Sequence, residues 1–385
     1  MYNIRLLNKI SPSGLERLPA GLYAYGEDIA EPDAILIRSA SMHETELPAS
    51  LKAIARCGAG VNNIPVDKCT QSGIVVFNTP GANANAVKEL TMAGLLLSAR
   101  KIAPGMKWVQ ELKGKGADVP GLVEKGKGKF GGPELRGKKL GVVGLGAIGA
   151  MVCNFARHFG MEVYGYDPYL SVQSALKLSR DIKYADTLKV IYDNCDFISL
   201  HVPYTPDTKG MVNEASINQM KHGVRILNFS RAELVDDADM LAALDEKKVY
   251  CYITDFPNDA VLGHPGVIAL PHLGASTPES EDNCAVMAAD EIRDFLENGN
   301  IVNSVNFPDV HAPRTGAVRV GVIHKNRKGV IAKITGAVGA NIDNLTNKSR
   351  GDYAYTLLDM DDDVSTEAIE KLGATDGVIR VSVIR

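Results

Sequence analysis

Six residues, Gly144-Leu145-Gly146-Ala147-Ile148-Gly149, constrain this chain more than any other stretch. Alone, G-x-G-x-x-G is a weak signal. Here an apolar run at 140–143 precedes it, a helical pattern over 147–158 follows, and the next apolar run, 162–166, ends on Asp167, about 20 residues on. Gly144 permits the tight turn, Gly146 lets backbone approach a pyrophosphate, and Gly149 lets helix and strand pack closely. The free N–H groups of Ala147 and Ile148 at the helix start then face the phosphates. Asp167 suits ribose hydroxyls and repels a 2′-phosphate, and no Arg in the next few residues welcomes one. The expected cofactor is therefore NAD rather than NADP.

The same alternation runs through most of the chain. Residues 34–37, 53–55 and 74–77 read as buried strands of a parallel sheet, and 89–99 as a helix apolar on most of its surface. Residues 104–133, rich in Gly, Pro and Lys, read as a solvated connecting loop. Beyond the glycine loop, strands are expected at 197–200, 225–228 and 267–270, a repeated β-α-β order that argues for an open, doubly wound parallel sheet. A capped helix over 277–296 and a linker at 308–313 lead to residues 317–385. Their βαββαβ order predicts a separate ferredoxin-like domain.

Length suits two or three domains. With net charge −4, nucleic acid has no electrostatic case as the main partner. No apolar run is long enough to span a bilayer, and the first residues lack a secretory signal, so cytoplasmic residence is expected. The six cysteines are scattered without a CxxC pair, which suggests reduced, mostly buried thiols and no metal site. Cys57 is set apart by its loop.

Hydride chemistry on a hydroxy acid needs a base for the hydroxyl proton, a cation for the carboxylate and a carboxylate to tune the base. Arg231 follows a buried strand, where ligands bind in open α/β sheets, and its guanidinium can grip a carboxylate with two parallel bonds. Taken alone it reads as a surface salt bridge. His272 follows another strand and precedes a helix; alone it reads as a helix-end residue. With Asp255 and Asp259 nearby in sequence, and Arg231 opposite, it becomes an acid–base candidate.

The glycine loop with Asp167, His201-Val202-Pro203 with Thr208, Asn228-Phe229-Ser230-Arg231 and Pro271-His272-Leu273-Gly274-Ala275-Ser276-Thr277 together resemble the D-2-hydroxyacid dehydrogenases over roughly the first 310 residues. The resemblance implies that Arg231 binds the substrate carboxylate and that His272 exchanges the proton. It also implies that His201, Pro203, Thr208, Phe229, Asp255 and Gly274 lie against the cofactor. It further implies two Rossmann-like α/β domains: a discontinuous substrate domain, 1–98 with 285–308, and an NAD-binding domain, 99–284. Two departures stand out. Arg231 is followed by Ala232 where the family usually has glycine, and the family's glutamate partner of the histidine is absent. Asp259 is the nearest carboxylate to that position; an acid from elsewhere is its rival.

Residues Ile37-Arg38-Ser39, Arg56 to Asn63 and Asn78 to Asn83 resemble the substrate loops of the branch that oxidises 3-phosphoglycerate to 3-phosphohydroxypyruvate on the way to serine. Arg38 and Arg56 offer a fork for a phosphate, with Ser39, Gly58 and Asn83 as further donors; Arg56 as a purely structural tie is the alternative. Asn62 stands where the wider family has aspartate. Residues 317–385 resemble an ACT domain, implying an L-serine effector on His324, Asn326 and Asn341 and a homo-oligomer, dimer or tetramer; Lys328 replaces the usual proline. Without a ligand, that domain is an oligomerisation module. The competing functions are a glyoxylate or hydroxypyruvate reductase and, from another class, an NAD(H)-sensing binding protein.

Overall fold

The computed structural model describes residues 1–385, the side chain of Gln173 apart. The chain forms two compact units, residues 1–83 with 278–385, and residues 84–277. The expected boundaries lay at 98/99 and 284/285. The helix Ala84–Ala99 belongs wholly to the second unit because it packs on the helix Ala147–Ala156 and on strands of that unit's sheet. The helix Pro278–Asn298 belongs wholly to the first, where Ala285, Ala288, Ile292 and Phe295 join its core.

The first unit holds β1 (Tyr2–Leu7), β2 (Tyr23–Gly26), β3 (Ala34–Ile37), β4 (Ala53–Arg56) and β5 (Val75–Asn78), all parallel in the order β2-β1-β3-β4-β5. Apolar β-branched and small residues bury the central strands on both faces, as a parallel sheet requires.

The second unit holds β6 (Lys139–Val143), β7 (Glu162–Tyr166), β8 (Lys183–Tyr184), β9 (Phe197–Leu200), β10 (Val224–Asn228), β11 (Val249–Thr254) and β12 (Val267–Ala269). Their order, β12-β11-β10-β9-β6-β7-β8, is the doubly wound arrangement. The topology reverses between β6 and β9, so the crevice for a ligand opens where those two strands end. Residues 104–133 are not loop throughout. They contain most of the helix Ile102–Gln110 and all of Val119–Gly126, neither with a buried residue. Trp108 and Phe130 hold them together, ring centroids 5.1 Å apart, with Lys129 Nζ 4.7 Å above the indole. Lys129 thus stacks on the indole while it stays exposed.

The C-terminal segment of the first unit forms an antiparallel sheet of β13 (Val318–Lys325), β14 (Ile342–Arg350), β15 (Tyr353–Met360) and β16 (Val378–Ile384), ordered β14-β15-β13-β16. The helices Val330–Val338 and Thr366–Gly373 contribute Val330, Ile334 and Leu372 to its core, the expected ferredoxin-like sandwich. Tyr355 and Leu357 enter the first unit's main core instead, beside Phe295.

Candidate active site

The turn after β6 is built as its glycines demand. Gly144 has φ +93°, donates its N–H to the Tyr166 carbonyl at 2.8 Å, and a Cβ there would stand 2.5 Å from the His201 carbonyl oxygen. A Cβ on Gly149 would overlap the Gly144 carbonyl. Gly146 begins the helix Ala147–Ala156 without a side-chain cap, and a Cβ on it would meet nothing within 4 Å. The first helical N–H groups, those of Ala147 and Ile148, therefore face open space and suit an anion. Asp167, just past β7, accepts from the N–H of Leu145 and of Tyr169, both at 2.9 Å. Each oxygen keeps a lone pair for a ribose hydroxyl.

Across the switch point, β9 delivers His201. Its Nε2 meets Ser199 Oγ at 2.8 Å, its Nδ1 is buried without a partner, and burial pushes its pKa down to about 4, so the ring is neutral at ordinary pH. Thr208 Oγ1 donates to the Pro203 carbonyl at 2.7 Å and closes that loop. Phe229 faces inward: its ring lies against Gly94, where a Cβ would come within 2.7 Å, so packing is its observed role.

Arg231, Asp255 and His272 follow the C-terminal ends of the adjacent strands β10, β11 and β12. The Arg231 loop is pinned by Asn228, whose Nδ2 donates to the Arg231 carbonyl at 2.8 Å, and by Ser230 Oγ on the Leu200 carbonyl at 2.7 Å. The guanidinium itself is exposed, with Nη1 on the Ser230 carbonyl at 2.6 Å. Phe256, which the sequence reading did not single out, links the site. Its ring lies 4.6 Å from the His272 imidazole and 6.0 Å from the Arg231 guanidinium carbon. Its position directly after Asp255 was the available signal.

Asp255 is 1% exposed, and its Oδ1 has no partner. Burial raises its pKa, opposed by the charge of His272, the Gly274 N–H, its own N–H and, least, Arg231. Asp259, the sequence candidate for the histidine's partner, is exposed, and among the described residues no hydrogen bond or ion pair joins it to His272. Asp259 lies in a turn beyond β11, on the surface. The carboxylate on which the charge of His272 acts is Asp255.

In the first unit, Arg38 and Arg56 emerge from β3 and β4. Arg56 Nε donates to the Arg38 carbonyl at 3.1 Å, and its Nη1 would lie 2.7 Å from a Cβ on Gly58. Arg38 Nη2 pairs with Glu281 Oε1 at 2.5 Å, a partner the sequence did not suggest. Asn8 Oδ1 accepts from the N–H of Ser39 at 2.9 Å and of Ala40 at 2.8 Å, which fixes that loop. Asn83 is half-buried at the unit's edge. Cys57 is half-buried and the other five cysteines are buried, all unpaired; burial pushes the Cys57 thiol up to about 12.

The expected effector residues separate. Asn326 and Asn341 are exposed. His324 is 2% exposed, with Nε2 2.9 Å from Thr356 Oγ1 and Nδ1 2.9 Å from the Lys325 carbonyl. Its place on the central strand β13 turns the ring into the sheet, so it is a satisfied core histidine.

With its glycine turn after β6 and with Arg231 and His272 beyond the ends of β10 and β12, the chain belongs to the D-isomer-specific 2-hydroxyacid dehydrogenase family. Residues 92–274 match the family domain described as "D-isomer specific 2-hydroxyacid dehydrogenase, NAD binding domain". The D-3-phosphoglycerate dehydrogenase of Haemophilus influenzae is 32% identical over 354 residues, 88% of this chain and 82% of that protein. That of Bacillus subtilis is 32% identical over 326 residues, 80% of this chain but 59% of that protein, so the chain spans well under two thirds of that relative's length. Among solved structures, NAD+-bound 3-phosphoglycerate dehydrogenase of Entamoeba histolytica superposes with a TM-score of 0.58 at 25% identity, over 79% of this chain and 98% of that one.

Proposed function

We propose that this chain oxidises 3-phospho-D-glycerate at C2 to 3-phosphohydroxypyruvate with NAD, the first step towards L-serine. The observation that carries it is the grouping of Arg231 and His272 about one phenyl ring, with buried Asp255 within electrostatic reach of the imidazole. Arg231 holds the substrate carboxylate through its planar fork. His272 takes the hydroxyl proton, and the charge of Asp255 stabilises the imidazolium that results. NAD, when bound, supplies the hydride acceptor.

The residues present fit that cofactor. Gly144, Gly146, Ala147, Ile148 and Gly149 form the pyrophosphate cradle, and Asp167 takes the ribose. His201, Pro203 and Thr208 line the loop across the switch point. The unpartnered Oδ1 of Asp255, beside Gly274, suits an amide N–H donor. Arg38 and Arg56, with Ser39, Gly58 and Asn83, take the substrate phosphate, which displaces Glu281 from Arg38. A glyoxylate or hydroxypyruvate reductase would not need that second cationic pair, and an NAD(H)-sensing protein would not need His272 and Arg231.

The same proposal makes the C-terminal sheet regulatory, with Asn326 and Asn341 the accessible polar groups for L-serine. It also makes the protein a cytoplasmic homo-oligomer, dimer or tetramer; the exposed Ile102, Met106 and Val109 offer one apolar contact face. NADH formation with 3-phosphoglycerate, glycerate and lactate tests the activity. Equal rates with all three would remove the phosphate site, and no turnover of any would remove the enzyme. Rates unchanged at millimolar L-serine would remove the effector.

A further inference from the structure

The C-terminal sheet is held to the rest of its unit by two kinds of contact. One kind is central and strong. Arg319, fully buried, makes a two-pronged pair with Asp359 at 2.6 and 2.8 Å and donates to the carbonyls of Asn298, Ala312 and Pro313; Tyr355 Oη donates to Gly299. These contacts already dock the sheet.

The other kind lies at the two edge strands and reaches elsewhere. Arg380 on β16 donates from Nη1 to the Leu51 carbonyl at 2.6 Å and from Nη2 to that of Ala49 at 3.4 Å. Ile379 and Arg380 also press on Gly73: a Cβ there would stand 2.9 Å from Arg380 Cβ, and φ is +66°. Leu51 lies two residues before β4, whose far end is Arg56, and Gly73 lies two residues before β5, whose far end is Asn78. On the opposite edge, Arg350 Nη1 donates to the Ser304 carbonyl at 2.8 Å. Ser304 bridges antiparallel to Phe77, and the Asn303 carbonyl accepts from the Asn78 N–H at 3.4 Å.

A four-residue strand is a stiff rod of roughly 10–13 Å, so a shift at its root appears at its tip. We propose that Arg380 and Arg350 are positioning residues for the substrate loops. Arg380 fixes the roots of β4 and β5, and Arg350 fixes the segment that flanks the end of β5, so together they set where Arg56 and residues 78–83 present themselves. This rests on the reading that those loops hold the substrate phosphate. Arginine suits the task because its planar fork reaches two carbonyls at once and keeps its charge when half-buried. Among the described residues no carboxylate pairs with Arg380, so its hydrogen bonds to Leu51 and Ala49 are what hold it.

The test uses the full chain with Arg380→Ala, Arg380→Lys and Arg350→Ala. The measurements are KM for 3-phosphoglycerate, KM for NAD, thermal stability and amide hydrogen exchange at residues 53–60 and 75–83. Misplacing a binding group by an ångström or less costs on the order of tenfold or more. Arg380→Ala is therefore expected to raise the phosphoglycerate KM by about tenfold, leave the NAD KM within about twofold and speed exchange at 57–60, with Arg380→Lys intermediate. Arg350→Ala should act the same way at 78–83, and it carries the test if Arg380→Ala does not fold. Lowered stability with both KM values and loop exchange as in the wild type would make these arginines mere fasteners and overturn the inference. Wild-type protein that does not turn over 3-phosphoglycerate would defeat the functional reading instead, and the exchange measurement would still decide the positioning role.

Discussion

Phe256 and His272 stand ring to ring, centroids 4.6 Å apart at 50°. The guanidinium of Arg231 lies off the same phenyl ring, so one side chain touches both groups of the candidate site. Removing it leaves both in place but unsupported. Phe256→Ala is expected to lower kcat by about ten- to a hundredfold with little loss of stability, because the ring is only half-buried. Phe256→Tyr, which keeps the ring, should retain most of the rate. Steady-state kinetics beside a melting curve separate the two effects, and an Ala variant with wild-type kcat would show that the ring has no spacing role.

The two aspartates near His272 make opposite predictions. Asp255 is buried and within electrostatic reach of His272; Asp259 is exposed on the turn beyond it. Asp259→Asn should leave kcat within about twofold, whereas Asp255→Asn should cost on the order of a hundredfold, within the range general acid–base arrangements contribute. His272→Gln is the reference for complete loss of the base. A large loss in Asp259→Asn would restore the carboxylate that the sequence reading favoured.

The choice between these two aspartates shows where sequence reasoning ran out. The glycine turn was legible because its demands are local: a positive φ at Gly144 and no room for a Cβ at Gly149 follow from the backbone itself. The parallel strands were legible for the same reason, being short apolar runs between turns. The partner of His272 depends on how the loop folds between β11 and β12, and nothing in Pro257 to Pro265 announces that Asp259 turns outward. His324 misled in the opposite way. It lies near the end of β13, where burial and the contacts of its Nε2 with Thr356 Oγ1 and Asn347 Oδ1 hold the ring among the neighbouring strands. Glu281 was invisible because it matters through a contact with Arg38 that forms only in three dimensions, and Phe256 had only its place beside Asp255 as a signal.

In the proposed cofactor site Asp167 does two tasks with one carboxylate. It accepts from the Leu145 N–H and so braces the glycine turn, and it keeps lone pairs for the ribose. Asp167→Ala should raise the KM for NAD by about tenfold and narrow the preference over NADP, since both the brace and the repulsion of a 2′-phosphate go together. Asp167→Asn keeps an acceptor for Leu145 and drops the charge, so it should relax NADP exclusion with a smaller rise in the NAD KM. Cofactor titrations with both dinucleotides check this. An Asn variant as strict as the wild type would mean that charge is not what discriminates.

The Arg319–Asp359 pair is the stability element of the C-terminal sheet. Burial alone would raise the Asp359 pKa, but the hydrogen bonds and charge of Arg319 hold it below the usual carboxylate range. Breaking the pair leaves an uncompensated buried charge, which typically costs about 3–5 kcal/mol. Arg319→Met is therefore expected to lower the melting temperature sharply, and a second change, Asp359→Leu, should restore part of it by removing the stranded carboxylate. A double variant no better than the single one would mean that the carbonyl contacts of Arg319 outweigh its charge partner.

Glu291 gives the chain a pH dependence of definite sign. It sits in the helix Pro278–Asn298 with Oε1 accepting from Asn303 Nδ2 at 2.8 Å and Oε2 buried without a partner. Burial pushes its pKa from 4.5 up to about 8; the Asn303 bond opposes the rise, and Asp309 and Asp290 add to it. The folded protein then holds a proton that the unfolded chain gives up, so the glutamate's contribution is complete below the unfolded value and is lost as pH rises through the folded one. Stability should fall from acidic to mildly alkaline pH at up to about 1.4 kcal/mol per unit from this residue. Glu291→Gln keeps an acceptor for Asn303 and cannot ionise. Its advantage over the wild type should be small at about pH 5 and grow towards about pH 9, in urea unfolding at each pH. A constant difference between the two proteins across that range would mean that Glu291 is already ionised in the fold.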